Sequence, residues 1–229
     1  MNPIIVNELQ DPVIEVQLPV ALPPVDSFSL SLACEEGVKE ALLLNLLAEV
    51  LAASPPCDHK IWLRAPVADL QCKLPYLSSG ALHSLLKSLT FRRLMEIEAV
   101  RQNNRTLHLV RYSMPPFLIE RALEEPSLTF SVPEARELGL NEAVLIQYLR
   151  SQFAGKPDLD LRRLFRLGDL TLGLPFTKHQ LSRALRSLKA SGLIENSIGR
   201  YRLSPSERKK LSFKSASNLL RDQICANAS

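Results

Sequence analysis

Leucine-rich stripes at helical spacing run through this chain and predict several amphipathic helices. The clearest helix begins at Lys178, because Thr177 and Gln180 form a capping box immediately before it. It ends before Gly192, which stands where a left-handed residue closes many helices. Its apolar face consists of Leu181, Ala184, Leu185 and Leu188. The opposite face is polar and basic, so one side is predicted to be buried and the other exposed.

The same apolar pattern occurs twice, and the second occurrence lies 98 to 102 residues after the first. The matched segments are Ser29–Leu32 with Ser127–Phe130, Lys39–Leu47 with Asn141–Leu149, Leu74–Tyr76 with Leu174–Phe176, Leu82–Leu89 with Leu181–Leu188, and Leu94–Glu96 with Leu193–Glu195. Their order is kept throughout, which chance matches would not do. The chain is therefore interpreted as a duplicated fold, with a copy one and a copy two.

Each copy has the same order of predicted elements. A long apolar helix is followed by a short helix, near Val67–Cys72 in copy one and near Leu161–Leu167 in copy two. A Leu-Pro-aromatic break, a second amphipathic helix and a hairpin come next. The predicted hairpin strands are Met95–Val100, Thr106–Tyr112, Leu193–Asn196 and Arg200–Leu203. This order predicts a mainly α fold with small β-hairpins (α+β), arranged as two tandem winged helix-turn-helix domains.

Proline spacing and turn signals set the predicted boundaries. Five prolines in the first 24 residues favour an extended arm, and the alternation Val13–Leu18 could add a strand to its own domain or to a second copy. The predicted segments are an extended Pro-rich arm (1–26), winged-helix domain 1 (27–113), a linker helix (114–126), winged-helix domain 2 (127–204) and a basic C-terminal tail (205–229). In domain 1 the second helix is predicted to begin after Ser78 or Ser79. Arg93 in the place of Gly192 predicts a weaker or different helix end.

Charge is distributed unevenly between the two halves. Residues 1–126 carry 11 Lys+Arg and 15 Asp+Glu, whereas residues 127–229 carry 17 Lys+Arg and 9 Asp+Glu. An asymmetry of this kind suggests that the C-terminal half meets a polyanion. The alternative is ordinary variation of the surface.

The remaining composition argues against catalysis, metals and membranes. The four cysteines include no C-x-x-C pair, so they are interpreted as reduced thiols and no metal or other cofactor is expected. No phosphate loop or nucleophile motif occurs, which argues against an enzyme. The apolar run Ala41–Ala53 is too short to span a bilayer and is interpreted as a buried helix. A cytoplasmic protein, in the bacterial cytoplasm or nucleoid, is expected.

The basic face of the helix at Lys178 carries the case for DNA. Arg side chains can read guanine and Gln can read adenine in the major groove, whereas Lys contacts phosphate. Two arginines of the second hairpin strand and a basic cluster of the tail extend this surface. The predicted DNA-binding residues are Lys178, His179, Gln180, Ser182, Arg183, Arg186, Lys189, Arg200, Arg202, Arg208, Lys209 and Lys210. The alternative is a solvated basic face.

The corresponding helix of copy one presents small, nearly uncharged residues. They suit close packing against another protein better than contact with phosphate. The predicted protein-interaction residues are Gly80, Ala81, His83, Ser84 and Lys87. A purely structural spacer is the alternative, and Arg92 and Arg93 could still contact phosphate.

Copy two also resembles a known family. Leu138–Gln147 is similar to the start of the winged-helix module of DnaT-like primosomal proteins and of phage and plasmid replication proteins. Pro175-Phe176, Leu185–Leu188 and Gly192–Ile194 match the later part of that module. The family's usual His-Tyr-Trp after the first helix is replaced in this chain by Tyr148–Arg150.

The resemblance implies a role in DNA replication or replication restart. Domain 2 would bind duplex or forked DNA, and domain 1 would hold a replication or transcription protein or a second copy of the chain. A transcriptional regulator using the same recognition helix is one alternative. A protein-interaction scaffold that does not bind DNA is the other.

Overall fold

The computed structural model describes residues 13–15, 25–52, 62–102, 105–124, 127–152, 165–197 and 200–208. In these residues the protein is mainly helical with small, mostly antiparallel sheets, which confirms the α+β class. Contacts divide the chain into two compact units. Unit 1 comprises Met1–Leu22 and Lys39–Glu125, and unit 2 comprises Pro23–Val38 and Pro126–Ser229.

Both copies begin with a strand and two helices. In copy one these are β2 (Val25–Ser29), α1 (Leu30–Glu36) and α2 (Val38–Ala52), and in copy two they are β6 (Ser127–Ser131), α6 (Val132–Leu138) and α7 (Leu140–Ser151). Ser29 and Ser131 cap α1 and α6 by accepting backbone N–H groups at 3.4 Å. Gly37 and Gly139 separate the two helices at φ 109° and 110°, where a side chain would be strained.

These caps and glycines correct the sequence register of the first repeat. Ser29 corresponds to Ser131, at an offset of 102, and not to Ser127. In copy one, serines alternate with apolar residues both within β2 and after it, but only the offset of 102 superimposes both caps and both glycines. Phe28 and Phe130 are then equivalent, and both are fully buried in unit 2 with ring centroids 6.3 Å apart.

Strand β2 pairs antiparallel with β6 along its whole length. The ladder is centred on Ser27 opposite Thr129, which are equivalent residues of the two copies at the offset of 102. Phe28 faces Leu128, and Asp26 faces Phe130, so each pairing has its counterpart on the other side of the centre. The ladder therefore has local two-fold pseudosymmetry. It also places β2 and α1 in unit 2, whereas the sequence boundaries divide them between the arm and domain 1.

Unit 2 continues with a short helix, a longer helix and a hairpin. The elements are β7 (Phe165–Arg166), α8 (Leu167–Gly173), α9 (Lys178–Ala190), β8 (Ile194–Ser197) and β9 (Arg200–Leu203). The strands form a sheet in the order β7-β9-β8. The short helix was expected near Leu161–Leu167, but 165–166 is a strand and the helix begins at Leu167, while 161–164 lies outside the described residues. A single helical turn, 205–208, follows the hairpin.

Unit 1 has the same order with a larger sheet. Its elements are β1 (Val13–Glu15), α2, β3 (Trp62–Pro66), α3 (Val67–Lys73), α4 (Ser79–Phe91), β4 (Glu96–Gln102), β5 (Arg105–Ser113) and α5 (Pro116–Ala122). The sheet order is β1-β3-β5-β4, and β1 of the N-terminal arm pairs parallel with β3. This part of the arm docks on its own unit, and 1–12 and 16–24 lie outside the described residues.

The second amphipathic helix ends in the same way in both copies. After α9, Gly192 has φ 69°, and Leu193 N–H donates to the Leu188 carbonyl at 3.0 Å. After α4, Arg93 has φ 57°, and Leu94 N–H donates to the Leu89 carbonyl at the same distance. The sequence predicted a weaker or a different helix end in copy one, and of these two the different end is wrong. Arg93 adopts the glycine conformation at a cost of about 1–2 kcal/mol.

Tyr112 in β5 is fully buried, and its hydroxyl has no hydrogen-bond partner among the described residues. Tyr112→Phe is expected to raise the free energy of unfolding by about 1 kcal/mol, because it removes a desolvated and unsatisfied hydroxyl.

Burial, with the nearby charge of Asp69, also raises the pKa of Tyr112. An unfolded tyrosine ionises near pH 10, so wild-type stability falls as the pH rises above about 10. Tyr112→Phe lacks this group, so this part of the loss of stability at alkaline pH should be absent from the variant.

Urea unfolding at neutral and at strongly alkaline pH measures both effects. Tyr201→Phe in unit 2 is the matched control, because Tyr201 occupies the corresponding strand but is only half-buried. A loss of stability in Tyr112→Phe at neutral pH would contradict the absence of a partner for its hydroxyl.

Candidate nucleic-acid interface

Helix α9 separates an apolar face from a basic face, as its sequence predicts. Leu181, Ala184, Leu185 and Leu188 are buried. Thr177 caps the helix by accepting the Gln180 N–H at 3.2 Å. The exposed residues of the opposite face are Lys178, His179, Gln180, Arg183, Arg186 and Lys189. Ser182 is half-buried beside them. The helix therefore presents four cationic side chains to solvent.

Gln180 has a structural role that competes with reading bases. Its side-chain oxygen accepts the Thr177 backbone N–H at 2.8 Å and lies 3.0 Å from the Thr177 hydroxyl. Paired recognition of adenine needs both the oxygen and the amino group of a glutamine side chain. Since the oxygen serves the cap, Gln180 keeps only its amino group for other contacts.

The side chains of the two arginines of α9 differ in whether they hydrogen-bond within the protein. Arg186 donates from Nε to the Ser182 carbonyl at 3.3 Å, which directs its guanidinium along the helix and leaves its terminal nitrogens as donors. Arg183 is exposed and makes no hydrogen bond or ion pair with the described residues. Arg183 is the best placed of the predicted base readers. Lys178 and Lys189, at the two ends of the helix, suit contact with phosphate.

The hairpin contributes one free arginine and one neutralised arginine. Arg202 pairs across the strands with Glu195, Nε to Oε2 at 2.7 Å, so its charge is already balanced. Arg200 is exposed and lies directly opposite Arg166 of β7. Like charges opposite each other in a sheet are unfavourable unless an anion lies near them. Arg166 was missed in the sequence, because only the pairing of β7 with β9 places it beside Arg200.

The final helical turn is tied to the body of unit 2 by a partly buried ion network. Arg150 of α7 donates to both carboxylate oxygens of Glu134 at 2.8 Å and to Glu207 at 2.6 and 3.0 Å. The Glu207 side chain is only 1% exposed. Burial lowers the pKa of Arg150, but the hydrogen bonds and charges of the two glutamates outweigh it and raise that pKa above its usual value. Arg150 is therefore a structural cation.

This network changes the interpretation of the basic tail. Arg208 follows Glu207 and is half-buried, and its Nε is buried without a hydrogen-bond partner among the described residues. It is poorly placed to reach a phosphate. Lys209 and Lys210 lie outside the described residues.

The predicted protein-interaction face lies on α4. Gly80, His83, Ser84 and Lys87 are exposed, and Ala81 is half-buried. The Ser78 side chain caps the helix by accepting the Ala81 N–H at 3.2 Å. A Cβ at Gly80 would meet no atom within 4 Å, so the internal packing does not require glycine there. Gly80, Ala81 and Ser84 make most of this face small-sided, as the sequence indicates.

Other site types are not found in the described residues. They contain no group of three or more His, Cys, Asp or Glu side chains that could hold a metal ion, and none of their helices is long and apolar enough to cross a membrane. Comparison with protein-family models, with curated proteins and with solved structures finds no match.

Proposed function

We propose that this chain is a DNA-binding protein built from two tandem winged helices. The order of strand, helix, helix, short helix, amphipathic helix and hairpin in each copy supports this fold. In the proposal, α9 is the recognition helix and the β8–β9 hairpin is the wing. The observation that carries the proposal is the exposed row of Lys178, Arg183, Arg186 and Lys189 on the face of α9 opposite its buried stripe.

The electrostatics of this region favour a polyanion. Residues 170–194 contain four Lys or Arg and no Asp or Glu, so no acidic neighbour in the chain segment offsets these charges. Arg166 and Arg200 add two further cations on the hairpin sheet. A helix in the major groove, with sheet arginines at the adjacent backbone, uses all six charges.

The biological process follows from the resemblance of copy two to primosomal and replication proteins. We infer a role in replication or replication restart at the bacterial nucleoid, with unit 2 on duplex or forked DNA. The face of α4 that carries small side chains would then bind a protein partner or a second copy of the chain.

The test is a titration of the full chain with duplex, forked and single-stranded DNA at a series of salt concentrations. If Lys178, Lys189, Arg166 and Arg200 contact phosphate, the logarithm of the duplex binding constant should fall with the logarithm of the salt concentration at a slope of about −4. A slope shallower than about −2 would mean that the basic surface is merely solvated.

Two arginines of the hairpin sheet provide a matched pair of variants. Arg166→Gln is expected to make the slope shallower by about 1, because it removes one free phosphate contact. Arg202→Gln is expected to leave the slope unchanged, because Glu195 already balances that charge. Equal effects of the two substitutions would contradict the proposed placement of the wing.

A further inference from the structure

The helix region of copy one is as basic as that of copy two, although its half of the chain is acidic overall. Residues 70–95 contain four Lys or Arg and no Asp or Glu, the same numbers as residues 170–194. The difference lies in where the charges stand. In copy two all four are on α9, whereas in copy one two of them, Arg92 and Arg93, follow the C-terminal end of α4. Two of the four cations of copy one therefore stand at that end, and Glu96 follows three residues after Arg93.

The same end carries the most exposed aromatic side chain that the structure describes. Phe91 is 89% exposed. The equivalent segment of copy two is Ala190, Ser191 and Gly192, the ordinary small residues of a helix end. Copy one has Phe91, Arg92 and Arg93 on the same backbone, and Arg93 keeps the strained left-handed conformation of the glycine. Neither the exposed ring nor the strained arginine helps the fold, and such departures from local stability concentrate at functional sites.

Cations flank the ring on both sides. Lys87 lies one helical turn before Phe91 on the same side of α4 and is exposed. Arg93 lies two residues after it and is also exposed. An aromatic face between two cations is the arrangement that binds single-stranded nucleic acid, because a base stacks on the ring while its neighbouring phosphates meet the cations. A protein partner would accept Phe91 and Arg93, since aromatic residues and arginine are enriched at protein interfaces, but lysine is depleted there, and the exposed Lys87 therefore favours nucleic acid.

We propose that Phe91, with Lys87 and Arg93, is a second nucleic-acid contact that stacks an unpaired base of single-stranded DNA. This site goes beyond the function proposed for unit 2, because it lies on copy one and does not involve α9.

The experiment measures fluorescence anisotropy of a labelled oligothymidylate and of a labelled duplex with the full chain. Phe91→Ala installs the residue of copy two and is expected to weaken oligothymidylate binding about 5- to 100-fold, while duplex affinity stays unchanged. Because the ring is exposed, the thermal unfolding of this variant should match that of the wild type. Leu172→Ala is the matched control, since Leu172 in unit 2 is 91% exposed, and it should change neither affinity.

Arg93→Gly separates binding from stability. It is expected to raise the thermal stability by relieving the left-handed conformation, and to lower the salt dependence of oligothymidylate binding by about 0.7 in the log–log slope. Unchanged oligothymidylate affinity in Phe91→Ala, or no oligothymidylate binding by the wild type, would overturn the proposal and leave the ring to a protein partner. Oligothymidylate binding without duplex binding by the wild type would instead count against the role of α9.

Discussion

Arg150→Ala is expected to lower the free energy of unfolding by about 3–5 kcal/mol, because it breaks a buried ion network on one side only. The substitution removes the guanidinium that balances the buried carboxylate of Glu207, and it also releases Glu134 from its paired contacts. Urea unfolding followed by circular dichroism measures the change. Arg150→Lys is expected to have a stability between those of the wild type and Arg150→Ala, since an ammonium cannot make both paired contacts of the guanidinium.

Copy one supplies the apolar residues for a control of this network. At the equivalent positions it has Leu32, which is buried in unit 2, and Ala48 and Leu118, which are buried in unit 1. Introducing them together, as Glu134→Leu, Arg150→Ala and Glu207→Leu, is expected to recover most of the stability, because an apolar set can replace a buried ion network at little cost. A triple variant as unstable as Arg150→Ala would show that the network specifies the fold of copy two. A loss below about 1 kcal/mol in Arg150→Ala alone would mean that the carboxylates are solvated.

The double substitution Arg183→Ala with Arg186→Ala is expected to abolish most of the sequence preference of DNA binding. Each arginine that meets guanine contributes about 1–3 kcal/mol of discrimination, and α9 exposes both side chains on its outer face. The preferred site is first selected from random duplexes with the wild-type chain. Competition between that site and an unrelated duplex then gives the discrimination of each variant.

Two single substitutions control for charge and for helix stability. Arg136→Ala removes an exposed arginine of α6 that lies outside the proposed contacts and should leave the discrimination unchanged. Gln180→Ala should lower the free energy of unfolding by about 0.5–2 kcal/mol through loss of the capping box, with little effect on discrimination. If Gln180→Ala relaxes the sequence preference as much as the double arginine variant, the cap opens on DNA and Gln180 reads a base.

Local signals account for what the sequence predicted well. Helix α9 has its capping box, its buried stripe and its closing glycine within 16 residues, so each signal can be recognised without knowledge of the rest of the chain. The same holds for Ser78 as the cap of α4 and for the element order of each copy. The α+β class follows from that order.

Long-range pairing accounts for what the sequence did not predict. Nothing near Arg166 indicates that it lies beside Arg200, because a strand of two residues has no pattern of its own. Arg150 is an ordinary helix residue until Glu207, 57 positions later, is found against it. The register of the first repeat was wrong by four residues because in copy one serines alternate with apolar residues both within β2 and after it, and only the caps and glycines fix the match.

The pseudosymmetric ladder of β2 and β6 bears on how the protein assembles at different concentrations. A ladder centred on equivalent residues, Ser27 and Thr129, has the geometry that two identical chains would make. A chain with one copy would have to form it by encounter, and its stability would then fall on dilution. Because the duplicated chain carries both strands, their effective concentration is fixed by the polypeptide and does not depend on how much protein is present. The fold of unit 2 should therefore persist at the few copies per cell at which a dimer of single-copy chains would dissociate.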